Sequence, residues 1–280
     1  MSNRETLEQR VAQHYTKPGL ADQILDALRA AGKDPEKLTT LDLSPVDEFH
    51  IGGREATAAI AAQLGLGPGA HVLDIGSGIG GPARFVAETY DCRVTGVDVT
   101  EGYVRTAAAL TKLVGLVGRV AFRHASALAM PFAPDTFDAA YMQHVGMNIP
   151  DKDALFAEIR RVLKRGAAFV VYDVMVTGKG APSFPVPCAT TAELAFMATV
   201  GAYRRALEQA GFVVLHERDH REVACAFFRK EASAADGRAG PPTLGTHLLF
   251  RDDPQDILRN LVDMFDRAVL TPTELVCRAV

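Results

Sequence analysis

The sequence predicts an α/β fold with a doubly wound, mostly parallel sheet, and three observations carry that prediction. From Ala70 onward, short apolar runs alternate with helical patterns. Such alternation builds strand–helix–strand units whose right-handed crossovers bring all the parallel strands' carboxyl ends to one edge. The run Val72-Leu73-Asp74-Ile75-Gly76-Ser77-Gly78-Ile79-Gly80-Gly81 joins an apolar strand to a helix through a glycine turn, and an acid, Asp98, ends the next apolar strand 22 residues after Gly76. Ligands of open α/β sheets bind outside the carboxyl edge, so the turn and Asp98 together mark a nucleoside site.

The elements follow in order. Leu7, Val11, Leu20, Ile24, Leu25 and Leu28 recur at near-helical spacing, interrupted by Pro18-Gly19, which predicts two short amphipathic helices over residues 4–31. Lys33 to Gly53, with Pro35, Pro45 and Gly52-Gly53, reads as mostly irregular and leads into a helix over Arg54–Leu64. Strands are predicted near 70–75, 93–98, 119–124, 136–142 and 167–175, and helices near 80–90, 101–114, 152–164 and 191–210. Past these, Phe212–His216 reads as a strand, Glu222–Ala232 and Asp253–Arg267 as helices, and Glu274–Val280 as a closing edge strand antiparallel to 212–216. The expected organisation is an N-terminal helical cap with a cofactor-covering loop over 1–53, then one domain over 54–280 carrying a helical insertion at about 219–270 that forms a second cap.

A chain of 280 residues with 48% hydrophobic and 23% charged residues has the makings of one large globular domain with a cap. A net charge of −4 gives no overall attraction to nucleic acid, so a small molecule is the expected partner. The four cysteines are scattered without zinc-site spacing, so free thiols in a reducing compartment and no metal are expected. No run approaches the roughly 18 apolar residues of a membrane helix, and the polar start lacks the apolar core of a leader, so a cytoplasmic protein with no membrane partner is expected. A homodimer is compatible with all of this.

Gly76-x-Gly78-x-x-Gly81 satisfies the dinucleotide fingerprint, so the glycine turn alone serves NAD and an oxidoreductase equally well. The same string also reads Asp74-x-Gly76-x-Gly78-x-Gly80. Beside a pyrophosphate Asp74 would be repulsive, whereas beside a cationic, phosphate-free donor it is attractive. With Asp74 included, the chain resembles the class I S-adenosylmethionine-dependent methyltransferases, and the likeness extends over roughly Glu48 to Ala210. Ala125-Ser126-Ala127-Leu128-Ala129-Met130-Pro131-Phe132 resembles the family's third-strand segment, with Ser126 in place of the usual Asp. Phe137–His144 resembles its fourth strand, and Ile159–Gly166 the turn before its fifth.

The resemblance implies a Rossmann-like fold and a site built from particular residues. Asp74, Gly76, Ser77 and Gly78 would hold the amino-acid part of S-adenosylmethionine, Asp98 and Val99 its ribose, Ser126 and Ala127 its adenine, and Gln143 and His144 its methionine end. Tyr15 and His50 match positions that cover the cofactor in relatives. His144, His50 and Tyr15 are the candidates for catalysis, ahead of His216 and His220, which flank a charged turn. Met147, Asn148 and Phe184, the last in the Pro-rich stretch Thr177–Ala189, are expected to touch the acceptor. Relatives in the small-molecule branch include sarcosine and dimethylglycine N-methyltransferases and quinone C-methyltransferases. That branch implies N-methylation of a small amine by in-line displacement, with O- or C-methylation of an aromatic, quinone or terpenoid acceptor as the alternative. A catalytically silent nucleotide-binding protein is a third reading, left open by Ser126.

Overall fold

The computed structural model describes residues 3–235, 242–250 and 254–280. Residues 1–2, and within the 219–270 insertion residues 236–241 and 251–253, lie outside that set, including Asp253 at the start of an expected helix. Among the described residues one sheet contains β1 (His71–Ile75), β2 (Arg93–Asp98), β3 (Val120–His124), β4 (Phe137–Gln143), β5 (Leu163–Val176), β6 (Phe212–Asp219) and β7 (Leu270–Ala279), in the order β3-β2-β1-β4-β5-β7-β6. The strands from β3 to β5 pair in parallel, and β7 runs antiparallel to both β5 and β6. The order reverses beside β1, so the crevice of a doubly wound sheet opens between β1 and β4.

Ten helices are described: α1 (Asn3–Tyr15), α2 (Leu20–Ala30), α3 (Thr40–Asp47), α4 (Gly53–Ala62), α5 (Gly81–Tyr90), α6 (Glu101–Leu113), α7 (Lys152–Val162), α8 (Val200–Gln209), α9 (Arg221–Ala235) and α10 (Pro254–Asp266). Both faces of the sheet are apolar because both are covered. Leu73, Ile75, Phe169 and Val171 pack on Leu155, Phe156, Ile159 and Leu207 of α7 and α8. On the other face Val72, Val94 and Val170 pack on Ile60, Ala83 and Val86 of α4 and α5. Two further clusters sit outside the sheet. One gathers Leu20, Ile24, Leu28, Leu43 and Val46 of α2 and α3 around Ile79, Tyr103 and Leu110. The other joins Ala224, Leu261, Met264 and Phe265 of α9 and α10 to Met147, Val174, Val186 and Cys188.

The structure departs from the sequence reading in three places. Within the stretch expected to be irregular, α3 forms despite Pro45, which removes a backbone N–H from the helix interior. The carbonyl so deprived, that of Leu41, accepts instead from the Ser44 hydroxyl at 2.9 Å, and the helix starts on a capping box between Thr39 and Asp42. The expected helix over 191–210 is a short 3-10 turn at Ala192–Leu194 followed by α8, because residues 195–199 are drawn away: Phe196 N–H bonds Met147 O at 2.7 Å and Val176 N–H bonds Ala198 O at 3.1 Å. The last strand begins at Leu270 and lies second from the edge, with β6 outermost.

Candidate active site

A single continuous cavity of 1530 Å³ opens over the carboxyl ends of β1, β2 and β4. Ligand sites for one drug-sized molecule run to about 300–1,000 Å³, so this one has room for two. Its first half is built by the glycine turn. Gly76 has φ +69°, and a Cβ there would collide with Val145, so only glycine lets the turn lie against the loop after β4. Gly76 and Ser77 give their amides to Val97 O at 2.8 and 2.9 Å, docking the turn on the end of β2.

Asp98 is 9% exposed and ties that turn to the next helix. Its Oδ2 accepts from Gly78 N–H and its Oδ1 from Thr100 N–H, both at 2.8 Å. Each oxygen keeps a further lone pair, which suits a vicinal diol. Asp74 is buried at the end of β1, its Oδ2 has no hydrogen-bond partner, and burial pushes its carboxyl up to about 7. Gln143 Oε1 and Ser77 Oγ are likewise buried without partners. Buried polar atoms are rarely left unpaired, and these belong to residues on the wall of one cavity. Two unpaired acceptors, Asp74 Oδ2 and Gln143 Oε1, fit the ammonium of a donor such as S-adenosylmethionine, and the diol-facing Asp98 fits its ribose.

At the end of β4, His144 adopts φ +57°, a strained conformation for a non-glycine residue, held by its own N–H bonding Tyr172 O at 2.8 Å. Its Nε2 is buried and unpaired, and burial lowers the imidazole to about 3, so the ring is neutral. The His50 ring lies 6.1 Å away, lowered by burial to about 4, its Nε2–H donating to Gly53 O at 3.1 Å. Behind it stands Glu48, which the sequence reading did not single out. Glu48 Oε2 accepts from Thr57 Oγ1 at 2.7 Å and sits 3.7 Å from His50 Nε2, while Oε1 is buried without a partner. Burial raises this carboxyl to about 8. The available signal was its place in Asp47-Glu48-Phe49-His50, two residues from a chosen histidine.

Tyr15 reaches the cavity from α1, its hydroxyl donating to Asn148 Oδ1 at 3.3 Å and its ring 5.9 Å from Tyr103. Val99, Ala127, Met147 and Asn148 also line the cavity, whereas Ser126 and Phe184 do not. The Ser126 hydroxyl is turned to Glu8 of α1, and Phe184 packs into the cluster with α9 and α10, leaving Val186, Pro187 and Cys188 of that loop on the wall. His216 is exposed on β6 and His220 is outside the cavity lining. The second half of the cavity is apolar, with Ile51, Val174, Met197, Phe227, Phe228 and Val262 among its walls. One Lys or Arg side chain lines it among the described residues, Arg259, which is exposed and bonded to Asp256 at 2.7 Å.

The fold and the glycine turn with Asp98 fit a nucleoside-dependent enzyme, and the comparisons with known proteins show a methyltransferase. A methyltransferase-domain profile matches residues 73–171. The chain is 30% identical over 208 residues to the O-methyltransferase cnsE of Penicillium expansum, covering 72% of this chain and 75% of that one. It is 39% identical over 124 residues to cycloartenol-C-24-methyltransferase 1 of Oryza sativa subsp. japonica, a match that covers 44% of this chain and only 36% of that enzyme. Among solved structures, geranyl diphosphate C-methyltransferase from Streptomyces coelicolor A3(2), bound to Mg2+, geranyl diphosphate and S-adenosyl-L-homocysteine, superposes with a TM-score of 0.73 at 18% identity, over 98% of each chain. The chain belongs to the S-adenosylmethionine-dependent methyltransferases.

Proposed function

We propose that this chain transfers a methyl group from S-adenosylmethionine to an oxygen or carbon of a large, mainly apolar acceptor. The observation that carries the reading is the second half of the cavity, walled by aliphatic and aromatic side chains and continuous with the nucleoside half. Among the described cavity-lining residues the cation is Arg259, which is exposed and already paired and so is a poor anchor for the anionic group of a small zwitterionic or phosphorylated amine. The O- or C-methylation alternative therefore has more in its support than N-methylation, and the O-methyltransferase and sterol C-methyltransferase relatives agree with it.

The bound donor supplies a methyl on a cationic sulfur, and the rest falls to the chain's own residues. Asp74 and Gln143 would hold the ammonium end, Asp98 the ribose hydroxyls, and the apolar walls would align the acceptor and keep water out. With a hydroxyl acceptor, His144, neutral and on the cavity wall at the end of β4, would be the residue placed to take the hydroxyl proton as the methyl leaves the donor sulfur. Glu48, raised by burial to about 8, stands 3.7 Å from His50 Nε2, whose ring lies 6.1 Å from that of His144, so a group that titrates near neutral pH sits beside the two neutral rings.

The test supplies methyl-labelled S-adenosylmethionine with two pools, apolar polycyclic or prenylated alcohols and phenols against glycine, sarcosine and phosphoethanolamine. Label in the first pool is expected. Label confined to the amines would overturn the acceptor reading, and no binding of S-adenosylhomocysteine by calorimetry would overturn the enzyme reading. His144→Ala is expected to lower kcat by roughly 10²–10⁴-fold on a hydroxyl acceptor, the usual size of general-base assistance, with S-adenosylhomocysteine affinity kept within about threefold.

A further inference from the structure

We infer that Glu8 of the N-terminal helix, held in place by Ser126, is the residue that reads the 6-amino group of the donor's adenine, an inference that rests on the cofactor assignment above. The donor's direction follows from the sheet. The acceptor half of the cavity lies beyond the ends of β4 and β5, next to His144 and Val174, so the transferable methyl lies there. Asp74 ends β1 and Asp98 ends β2, which places the ribose one strand further along. The base, the end remote from sulfur, then lies toward β3, the outermost strand on that side.

The cavity residues carried by the segment after β3, Ala125, Ala127 and Leu128, have apolar side chains, as does Val99 after β2, and Glu8 also lines the cavity. The exocyclic amine of adenine is a donor and, when buried against apolar walls, needs an acceptor. The carboxylate supplying it comes from α1 rather than from the segment after β3. Ser126 Oγ–H donates to Glu8 Oε1 at 2.5 Å, and Ser126 Oγ accepts from Leu128 N–H at 3.0 Å. The serine thus fixes the glutamate instead of facing the cavity. Glu8 Oε2 would then be the oxygen that accepts from the base's amine. Three other contacts keep α1 and its following turn in register: Arg10 with Glu193 at 3.0 Å, His14 with Pro187 O at 3.0 Å, and Lys17 with Leu248 O at 2.8 Å. Leu7, Val11 and Tyr15 of the same helix also line the cavity, so base recognition and closure of the cavity depend on one element.

The experiment measures binding of S-adenosylhomocysteine and of S-inosylhomocysteine, in which the 6-amino donor is replaced by a carbonyl acceptor, to the full chain and three variants. The wild-type protein is expected to favour the adenosyl compound by about tenfold or more, the span of one buried hydrogen bond lost to an unpaired charge. Glu8→Ala should reduce that preference to within about twofold, Glu8→Lys should invert it, and Glu8→Ala combined with Ser126→Asp should restore it. Inversion by lysine is an outcome that a purely structural role for Glu8 does not produce. Retention of the preference in Glu8→Ala, or equal binding of the two compounds by the wild type, would overturn the inference while leaving the methyltransferase assignment standing. Binding of neither compound would overturn the cofactor assignment and the inference with it.

Discussion

Asp74 and Glu48 are carboxyls that folding buries in their neutral form, and this gives the protein a defined response to pH. Each has a folded-state value above its ordinary one, about 7 and about 8, so the folded chain holds protons that the unfolded chain releases. Stability of the ligand-free protein is therefore expected to fall as pH rises from about 4 toward 8, which urea titrations at pH 5, 6, 7 and 8 would measure. Ligand binding has the opposite sign. An ammonium beside Asp74 favours the ionised carboxylate, so S-adenosylhomocysteine should bind more tightly as pH rises from 6 to 8 and release close to one proton at pH 6. Calorimetry in buffers of different ionisation enthalpy checks this, and Asp74→Asn should abolish the proton release. Asp98→Ala removes the hydrogen bonds from Gly78 N–H of the glycine turn and from Thr100 N–H before α6 together with the proposed ribose contact, and should weaken the same ligand by about 1–3 kcal/mol, read by titration. At this scale the sequence was informative where the chemistry is local, as at Asp74, Gly76, Gly78 and Asp98. It was silent about Glu48 and Glu8, because their roles arise from burial and from a contact 118 positions away.

The elements show why α3 forms where prolines suggested a loop. Besides the Ser44 substitution for the lost hydrogen bond, α3 is tied to α5 by a fully buried ion pair, Asp47 with Arg84 at 2.7 Å. Arg84 also donates to Ala107 O, Thr111 Oγ1 and Ile79 O, so one side chain joins α3, α5, α6 and the glycine turn. A Cβ on Gly81 would collide with Asp47 O, which shows how closely α3 lies on the start of α5. Removing one partner of such a pair strands the other charge. Arg84→Met is expected to cost about 3–5 kcal/mol in urea unfolding, while Lys164→Met, whose partner Asp138 is part-exposed, should cost under about 1 kcal/mol. The capping box at Thr39 and Asp42 is a local signal for α3 that a reading of Lys33–Gly53 from Pro35, Pro45 and Gly52-Gly53 alone does not use. In β7, Pro272 sits near the start of the strand opposite Val174, and its carbonyl accepts from His220 N–H at 2.8 Å, a pairing no local pattern reveals.

For the whole molecule, the parallel half of the sheet and its ligand edge were legible because strand patterning and crossover rules act on short stretches. The apolar chamber was not, since its walls come from α1, the loop after β5 and the α9–α10 insertion, brought together only by tertiary packing. A charged substitution on a half-buried wall of that chamber separates the two ligands. Val262→Asp is expected to raise the acceptor KM by about 10–200-fold, the range of lost apolar contacts in a pocket, while S-adenosylhomocysteine affinity stays within about twofold. Equal loss of both would show that the chamber is not divided as described.

The insertion between β6 and β7 leaves and re-enters the sheet at one place. Asp219 and Thr271 face each other at the mouth, with Thr271 Oγ1 donating to Asp219 Oδ1 at 2.5 Å and His220 N–H bonding Pro272 O at 2.8 Å. Two antiparallel neighbours thus act as a clasp, and the ends of residues 220–269 stay fixed whatever lies between them. Because closing that loop costs little more entropy as it lengthens, the segment can change length and composition without disturbing strand register. On the acceptor reading proposed above, the insertion supplies Phe227, Phe228 and Val262 to the acceptor wall, so a relative's 220–269 equivalent grafted at the clasp should shift the acceptor preference toward that relative's while the donor site stays as it is.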